Sequence, residues 1–368
     1  MNINTIILCI LSVGIVIGGV DYCIGNKFGL GEEFENGMKT FGPLALAMLG
    51  IISLAPILST LIRPIAVPLL KAIGADPSMA ASFLAVDMGG YPIAKSLALT
   101  PTSAVFSGLI VTSMLGATLV FSIPVALNIV QKDDHPFLLK GLLAGLITIP
   151  LGAFIGGLAA GFPLKELLLN SIPLVVLSLI IALSLYFFSH RAMKAAAYLG
   201  KFIVILSAAG LIAASVELLT GKVFLPGMEP LVSGIKIVGV ISIVLMGAFP
   251  LVKLLTMKAE KPLQRAGEHL GINGASVAGL LTSMVNNLPM LHSFTKMDER
   301  GKVLNSAFMV SGAFLIGDHL GFVASVDPTM IGYVMLAKIT AAALSIPIAL
   351  LLSRPASVSS EEIPSPIS

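Results

Sequence analysis

The chain has 368 residues, 56% of them hydrophobic and 11% charged, with a formal net charge of +3 and a mean hydropathy of +1.00. A water-soluble domain of this length cannot solvate so apolar a surface, and the scattered Lys and Arg form no block for a nucleic-acid partner. Cys9 and Cys23 lie 14 residues apart on one apolar run. Along a helix that is about 21 Å, too far to bridge, and no metal-ligand spacing occurs.

Apolar runs recur along the whole length, at roughly 5–22, 41–62, 77–95, 103–130, 137–160, 168–188, 202–219, 234–256, 273–292, 303–325 and 328–352. Each approaches the ~20 residues that a membrane-crossing helix needs. A membrane barrel would show ~10-residue alternation instead. The pattern predicts an all-α, polytopic membrane protein. The first run has no basic residue before it and no A-x-A site after it, so it stays as a helix. "GEEFENG" (31–37) reads as an acidic, solvated loop. The third run contains "DMGGYP" (87–92), a carboxylate, two glycines and a proline in an otherwise apolar stretch. Glu217 sits near a helix end and can reach the interface. The last residues, "RPASVSSEEIPSPIS", read as a disordered tail. No Gly-Lys-Ser/Thr loop is present, so ATP is not the driver, and no cofactor is expected.

Two stretches repeat. "FGPLALAMLG" (41–50) aligns with "VGVISIVLMG" (238–247) at an offset of 197. The same offset pairs "GADPSMAASFLAVDMGGYP" (74–92) with "GINGASVAGLLTSMVNNLP" (271–289), so that Gly89–Gly90 meet Asn286–Asn287 and Pro92 meets Pro289. At offset 199, "SGLIVTSMLGAT" (107–118) meets "SAFMVSGAFLIG" (306–317). This order predicts a first repeat over 1–160, a connecting helix over 161–201, a second repeat over 202–353 and the tail over 354–368.

The positive-inside rule bears on the topology. Of the 22 Lys and Arg, Lys253 and Lys338 lie within runs, leaving 20. If all eleven runs cross, these divide 10 against 10. If 77–95 and 273–292 instead dip in and return, they divide 14 against 6. That favours nine crossings, two re-entrant hairpins and an inverted repeat, within a range of about 9–11 transmembrane segments. The richer side includes Lys27, Lys132, Lys258 and Arg354, and the poorer side Arg63, Lys95 and Lys222. The N-terminus is then outside and the C-terminus cytoplasmic. Gly and Pro would supply the sharp backbone angles of such hairpins. Paired broken segments in two inverted halves are the sequence pointer to a transport site.

Only Asp87 and Asp318 among the acidic residues sit deep within apolar runs. Each costs about 2.5–3.5 kcal/mol there unless a partner, a wet cavity or a cation compensates. Asn286 and Asn287, in "NNLP", offer donors and acceptors at the second hairpin, or merely cap broken helix ends. His319, in "GDHLGF", can orient Asp318, relay a proton or pack as a core histidine. Tyr91 offers a cation–π face, or only packing. Thr112, Ser113 and Thr118 can bond back to their own helix.

Taken together, "GEEFENGMKTFGPLALAMLGIISLAPIL", "GADPSMAASFLAVDMGGYPIAK", "NNLPM", "MDERGKVLNSAF" and "GDHLGF" resemble the ethanolamine permease family of the bacterial ethanolamine-utilisation system, over about residues 4–353. "NNLP" also resembles hairpin tips of a broader ion-transporter superfamily. The resemblance implies an inner-membrane permease bringing ethanolamine to a cytoplasmic degradation pathway. It assigns no binding residues.

A primary amine of this kind is almost fully protonated at neutral pH, so the substrate is a small cation with one hydroxyl. Asp87, Asp318, backbone carbonyls near Gly89 and Gly90, and the Asn286 and Asn287 amides suit it. The expected site lies between the two hairpin tips near the midplane. An inside-negative potential is sufficient to drive uptake, and coupling to H⁺ or Na⁺ and homo-oligomerisation stay open. Rival readings are an ion-coupled carrier of another small solute, a passive channel and an intramembrane aspartyl protease. The protease needs Tyr-Asp and Gly-x-Gly-Asp pairs, and neither aspartate has them.

Overall fold

A computed structural model of the chain describes residues 3–84, 87–258 and 260–353, and among them every regular element is helical. The tail from Arg354 lies outside the described residues. Seven stretches are long and apolar enough to cross a bilayer: Ile3–Cys23, Leu30–Ala72, Pro101–Ile129, Lys132–Ala159, Leu164–Thr220, Leu231–Lys258 and Pro328–Leu352. The chain is a multi-pass membrane protein.

Eleven apolar runs become seven long stretches for three physical reasons. Leu164–Thr220 has 57 residues, about 85 Å of helix against a hydrocarbon core of about 30 Å. It leaves helical geometry at Phe188 (φ −132°, ψ 41°), which divides it into two pieces of crossing length. The run 303–325 is broken, with Glu299–Ser311 and Asp318–Val326 joined by an irregular link over 312–317. The runs 77–95 and 273–292 are hairpins of short helices, Met79–Phe83 with Gly90–Leu97, and Gly274–Ser283 with Asn287–His292.

Hydrogen bonds close each hairpin at its base. The Asp76 carboxylate accepts the N–H of Ser78 at 2.8 Å and of Leu99 at 3.0 Å. In the second hairpin the Asn273 amide donates to the Lys296 carbonyl at 3.0 Å, and the Asn273 N–H donates to Asp298 at 2.8 Å. A segment whose ends meet this way enters and leaves on one face. The approach to each hairpin turns on a left-handed glycine, Gly74 (φ 76°) and Gly271 (φ 66°), positions paired by the 197-residue offset. Neither admits a side chain without backbone strain.

Neighbouring contacts give the crossings their direction. Asn4 bonds the Thr329 carbonyl and the Gly332 N–H, so the first and last long helices begin at one face. The 3–23 and 41–72 helices return the chain to that face, where the first hairpin opens. Asn170 then bonds Ser103 near the start of the 101–129 helix, while Gly200 abuts Pro124 near its end. The piece before Phe188 has therefore carried the chain across. Five crossings separate the two hairpins, so they open on opposite faces.

The acidic "GEEFENG" stretch is not a loop. It forms the Leu30–Lys39 helix, with Glu32 and Glu33 in the first turn, where the helix dipole favours them, and a Glu35–Lys39 ion pair at 2.8 Å. Elsewhere helices approach through small residues, as membrane interfaces require. A Cβ on Gly50 would lie 1.7 Å from the Ser207 carbonyl, and one on Gly14 would lie 2.2 Å from that of Gly247.

Candidate functional site

The first hairpin turns at Asp87. Asp87 itself takes the left-handed conformation (φ 50°), whereas Gly89 has an ordinary helical φ of −65°. The expectation that the glycines supply the sharp angle is corrected: aspartate tolerates that region, and the glycine at 90 serves close approach. A Cβ on Gly90 would meet the Thr112 methyl at 2.8 Å. The second sharp residue is Phe314 (φ 58°), in the link of the broken helix.

That link and the second hairpin satisfy one another's backbone, which cannot face lipid. Phe314 N–H donates to the Ser283 carbonyl at 2.9 Å and Ile316 N–H to that of Met284 at 2.9 Å. The first hairpin lies against the 101–129 helix, which winds with π (i→i+5) hydrogen bonds over Phe106–Gly116 and Thr118–Ser122. Such winding is rare and marks functional segments in many proteins. Thr112, Ser113 and Thr118 do bond back to Gly108, Ile110 and Met114, and Thr118 also reaches the Val310 carbonyl.

His319 lies in the first turn of the Asp318–Val326 helix, and its ring turns to Asp87 rather than to Asp318. Nε2 lies 3.2 Å from Asp87 Oδ1, but off the hydrogen-bond line, so both buried atoms lack a hydrogen-bond partner. Asp318 accepts the backbone N–H of His319 at 3.0 Å. On its other side, His319 Nδ1 sits 3.1 Å from Lys338 Nζ. Lys338 donates to the Ser113 carbonyl at 2.7 Å and is 1% exposed. With Lys338 as an ammonium, which only donates, Nδ1 accepts and the ring hydrogen is assigned to Nε2. The cluster therefore presents an open acceptor, Asp87 Oδ1, beside an open donor, His319 Nε2–H. His319 is 2% exposed, while the Asp87 side chain is 23% exposed and forms the accessible edge.

The sequence reading missed Lys338. Its signal is its position inside an apolar run, where an intramembrane lysine carries the same functional presumption as an intramembrane aspartate.

The other expected residues sit farther out. Tyr91 packs edge-on to Phe322, with centroids 6.4 Å apart. Asn286 caps the 287–292 helix, its Oδ1 accepting the Leu288 N–H at 2.8 Å, which is the capping alternative weighed above. Asn287 is fully buried and donates to Ser122 Oγ at 3.2 Å, while its Oδ1 has no partner. The 312–319 segment bridges the two hairpins, bonding the second tip and carrying His319 to the first. Two apolar grooves of about 390 and 250 Å³, one lined by Ile147, Leu151 and Leu179 and one by Ile10, Leu251 and Leu255, lie away from this chemistry. Among the described residues no His, Cys, Asp and Glu cluster could hold a metal ion.

A family model described as "Ethanolamine utilisation protein, EutH" matches residues 3–352. The chain is 46% identical over 340 residues to "Probable ethanolamine permease EutH" of Listeria monocytogenes serotype 1/2a (strain 10403S), covering 92% of this chain and 91% of that one. It is 39% identical over 391 residues to the protein of the same name from Escherichia coli (strain K12), covering 96% of each. It is 45% identical over 340 residues to "Uncharacterized protein YxeR" of Bacillus subtilis (strain 168), covering 92% of each. No solved structure matches the chain significantly. The match along nearly the whole length places this chain in the ethanolamine utilisation protein EutH family.

Proposed function

We propose that this protein is a permease that takes up ethanolamine, as ethanolammonium, by alternating access at the Asp87–His319 pair. The observation that carries the reading is an open acceptor and an open donor 3.2 Å apart in the membrane interior. Ethanolammonium bears an ammonium and a hydroxyl two carbons apart. Its ammonium donates to Asp87 Oδ1 and its hydroxyl oxygen accepts from His319 Nε2–H. Asp318 adds a second carboxylate, and Tyr91 borders the hairpin edge of the site.

Asn286, Asn287, Gly89 and Gly90 then act as supports: the amides fix the second tip, and the glycines let the first tip lie against the 101–129 helix. The two halves are inverted copies, which the opposite-facing hairpins and the paired left-handed glycines support. The face holding 14 Lys and Arg is cytoplasmic, which puts the N-terminus outside and the C-terminus inside a bacterial inner membrane.

The test is labelled ethanolamine uptake at about pH 6, where the neutral amine is scarce, in Asp87→Asn and Asp318→Asn variants that insert normally. One charged hydrogen bond is worth about 1.5–3 kcal/mol, so Asp87→Asn is expected to raise the half-saturating concentration at least ~10-fold. Undiminished uptake by both variants defeats the assignment. Organic acids should not compete.

A further inference from the structure

The fixed charges of the cluster do not balance. Counted in their ionised forms, Asp87 and Asp318 contribute two carboxylates, and Lys338 one ammonium. The groups interacting electrostatically with Asp318 are His319, Asp87 and Lys338, and those with Lys338 are the two aspartates. Among the described residues, the elements packed around His319 bring no further charge to it. The 101–129 helix presents the Ser113 carbonyl, and the 231–258 helix presents Ile241 against Gly321. Its lysines, Lys236, Lys253 and Lys258, are exposed, and Lys253 lies 3.7 Å from Glu33. The 312–317 link presents the Phe314 ring, 5.0 Å from the imidazole.

With the Lys338 ammonium donating to Nδ1, the imidazole has one ring hydrogen, on Nε2, and the count takes no charge from it. One negative charge is therefore in excess in a site surrounded by hydrocarbon, where an uncompensated charge is strongly disfavoured. One monovalent cation cancels it. Ethanolammonium does so when bound, and the empty site needs another before it can change the side it faces.

Resting on the permease reading above, we propose that a proton takes the place of the substrate at Asp87, so that the protein exchanges one ethanolammonium for one proton. When the ammonium leaves, hydronium from the facing solution gives its proton to the Asp87 carboxylate, forming the carboxylic acid and water. When the next ammonium arrives, the acid returns that proton to water and the carboxylate accepts the ammonium N–H. Asp87 and Asp318 are both partly exposed, whereas Lys338 and His319 have almost no exposure, and of the two carboxylates Asp87 is the one with an unpartnered oxygen, since Asp318 accepts the His319 N–H. Lys338 sets the stoichiometry: it neutralises one carboxylate permanently and leaves a deficit of one. The exchange has the same net effect as passage of the neutral amine, at a pH where that amine is about 10⁻⁴ of the total.

The experiment uses the full chain in liposomes with a pH dye inside, at about pH 6 on both sides, with voltage set by a potassium gradient and valinomycin. Protein-free liposomes supply the leak. Exchange predicts protein-dependent alkalinisation of the lumen, one proton out per labelled ethanolamine in, at a rate unchanged by voltage. Uptake without a protein-dependent pH change, and with accumulation rising toward roughly 50-fold at 100 mV, inside negative, overturns the exchange and leaves the permease reading standing. No protein-dependent uptake at all removes both.

Discussion

Replacing Lys338 by Met keeps the length of the side chain and deletes its charge. The ammonium makes two polar contacts, 2.7 Å to the Ser113 carbonyl and 3.1 Å to His319 Nδ1. At about 1.5–3 kcal/mol for each charged hydrogen bond, their loss costs about 3–6 kcal/mol. The usual cost of removing one partner from a buried charged group, about 3–5 kcal/mol, falls in the same range. Part of that cost is the exposure of Asp87 and Asp318 to one another without their cation. Removing one of those charges should return some of it. The double variant Lys338→Met/Asp87→Asn is therefore expected to be more stable than the sum of the single variants by at least ~1 kcal/mol, above the ~0.5 kcal/mol scatter of additivity. Unfolding by SDS in mixed micelles measures this, followed by circular dichroism because the chain has no Trp. Strict additivity, or a Lys338→Met cost below ~1 kcal/mol, would refute an electrostatic cluster and leave Lys338 as packing.

Single cysteines at Lys95 and Lys296, both exposed, in a Cys9→Ser/Cys23→Ser background, should be modified by an impermeant reagent from opposite sides of the membrane. Labelling of both from one side would contradict the opposed hairpins. Gly50→Val should cost about 3 kcal/mol, since its Cβ would meet the Ser207 carbonyl backbone, whereas Gly42→Val, with nothing within 4 Å, should stay within about 0.5 kcal/mol in the same SDS titration. At the base of the second hairpin, burial raises the Asp298 carboxyl, but the Asn273 N–H, the Ser276 hydroxyl and the Gly301 N–H outweigh it and hold it below its ordinary value. A depressed folded-state value contributes stability above the unfolded one, 3.8, that is lost as pH falls through the folded one. Wild-type protein should lose stability relative to Asp298→Asn below about pH 4, and parallel thermal melts down to pH 3 would count against the network.

The hairpins were legible because breaking a membrane segment needs residues that stand out in an apolar chain, and the 197-residue offset placed the two breaks in register. Asp87, Asp318 and His319 were legible for the same reason, as rare polar groups in apolar runs. Their pairing was not: nothing in "GDHLGF" says that the imidazole turns away from its neighbour toward a residue more than 200 positions earlier. The left-handed residue was assigned to glycine because glycine adopts it at no cost, yet aspartate can as well. The break at Phe188 carries no Gly or Pro, so two crossings read as two runs but fold as one kinked helix. The π winding over 106–116 and 118–122 was not legible, because its apolar and hydroxyl residues fit ordinary winding equally well.

The first hairpin has a consequence for the order of synthesis. Its serine hydroxyls and the Asp76 N–H find their partners downstream: Ser78 bonds the Ser103 carbonyl, Ser107 bonds that of Ser78, Ser82 pairs with Ser107, and Asp76 N–H reaches Asn170. As residues 76–99 leave the ribosome, none of those partners has yet emerged. Lipid accepts no open polar backbone, so this stretch must wait at the translocon or at the interface until the 101–129 helix arrives to receive it. The two segments then enter the bilayer as one unit, and a ribosome pause between residues 100 and 130 would be the moment of greatest hazard for the nascent protein.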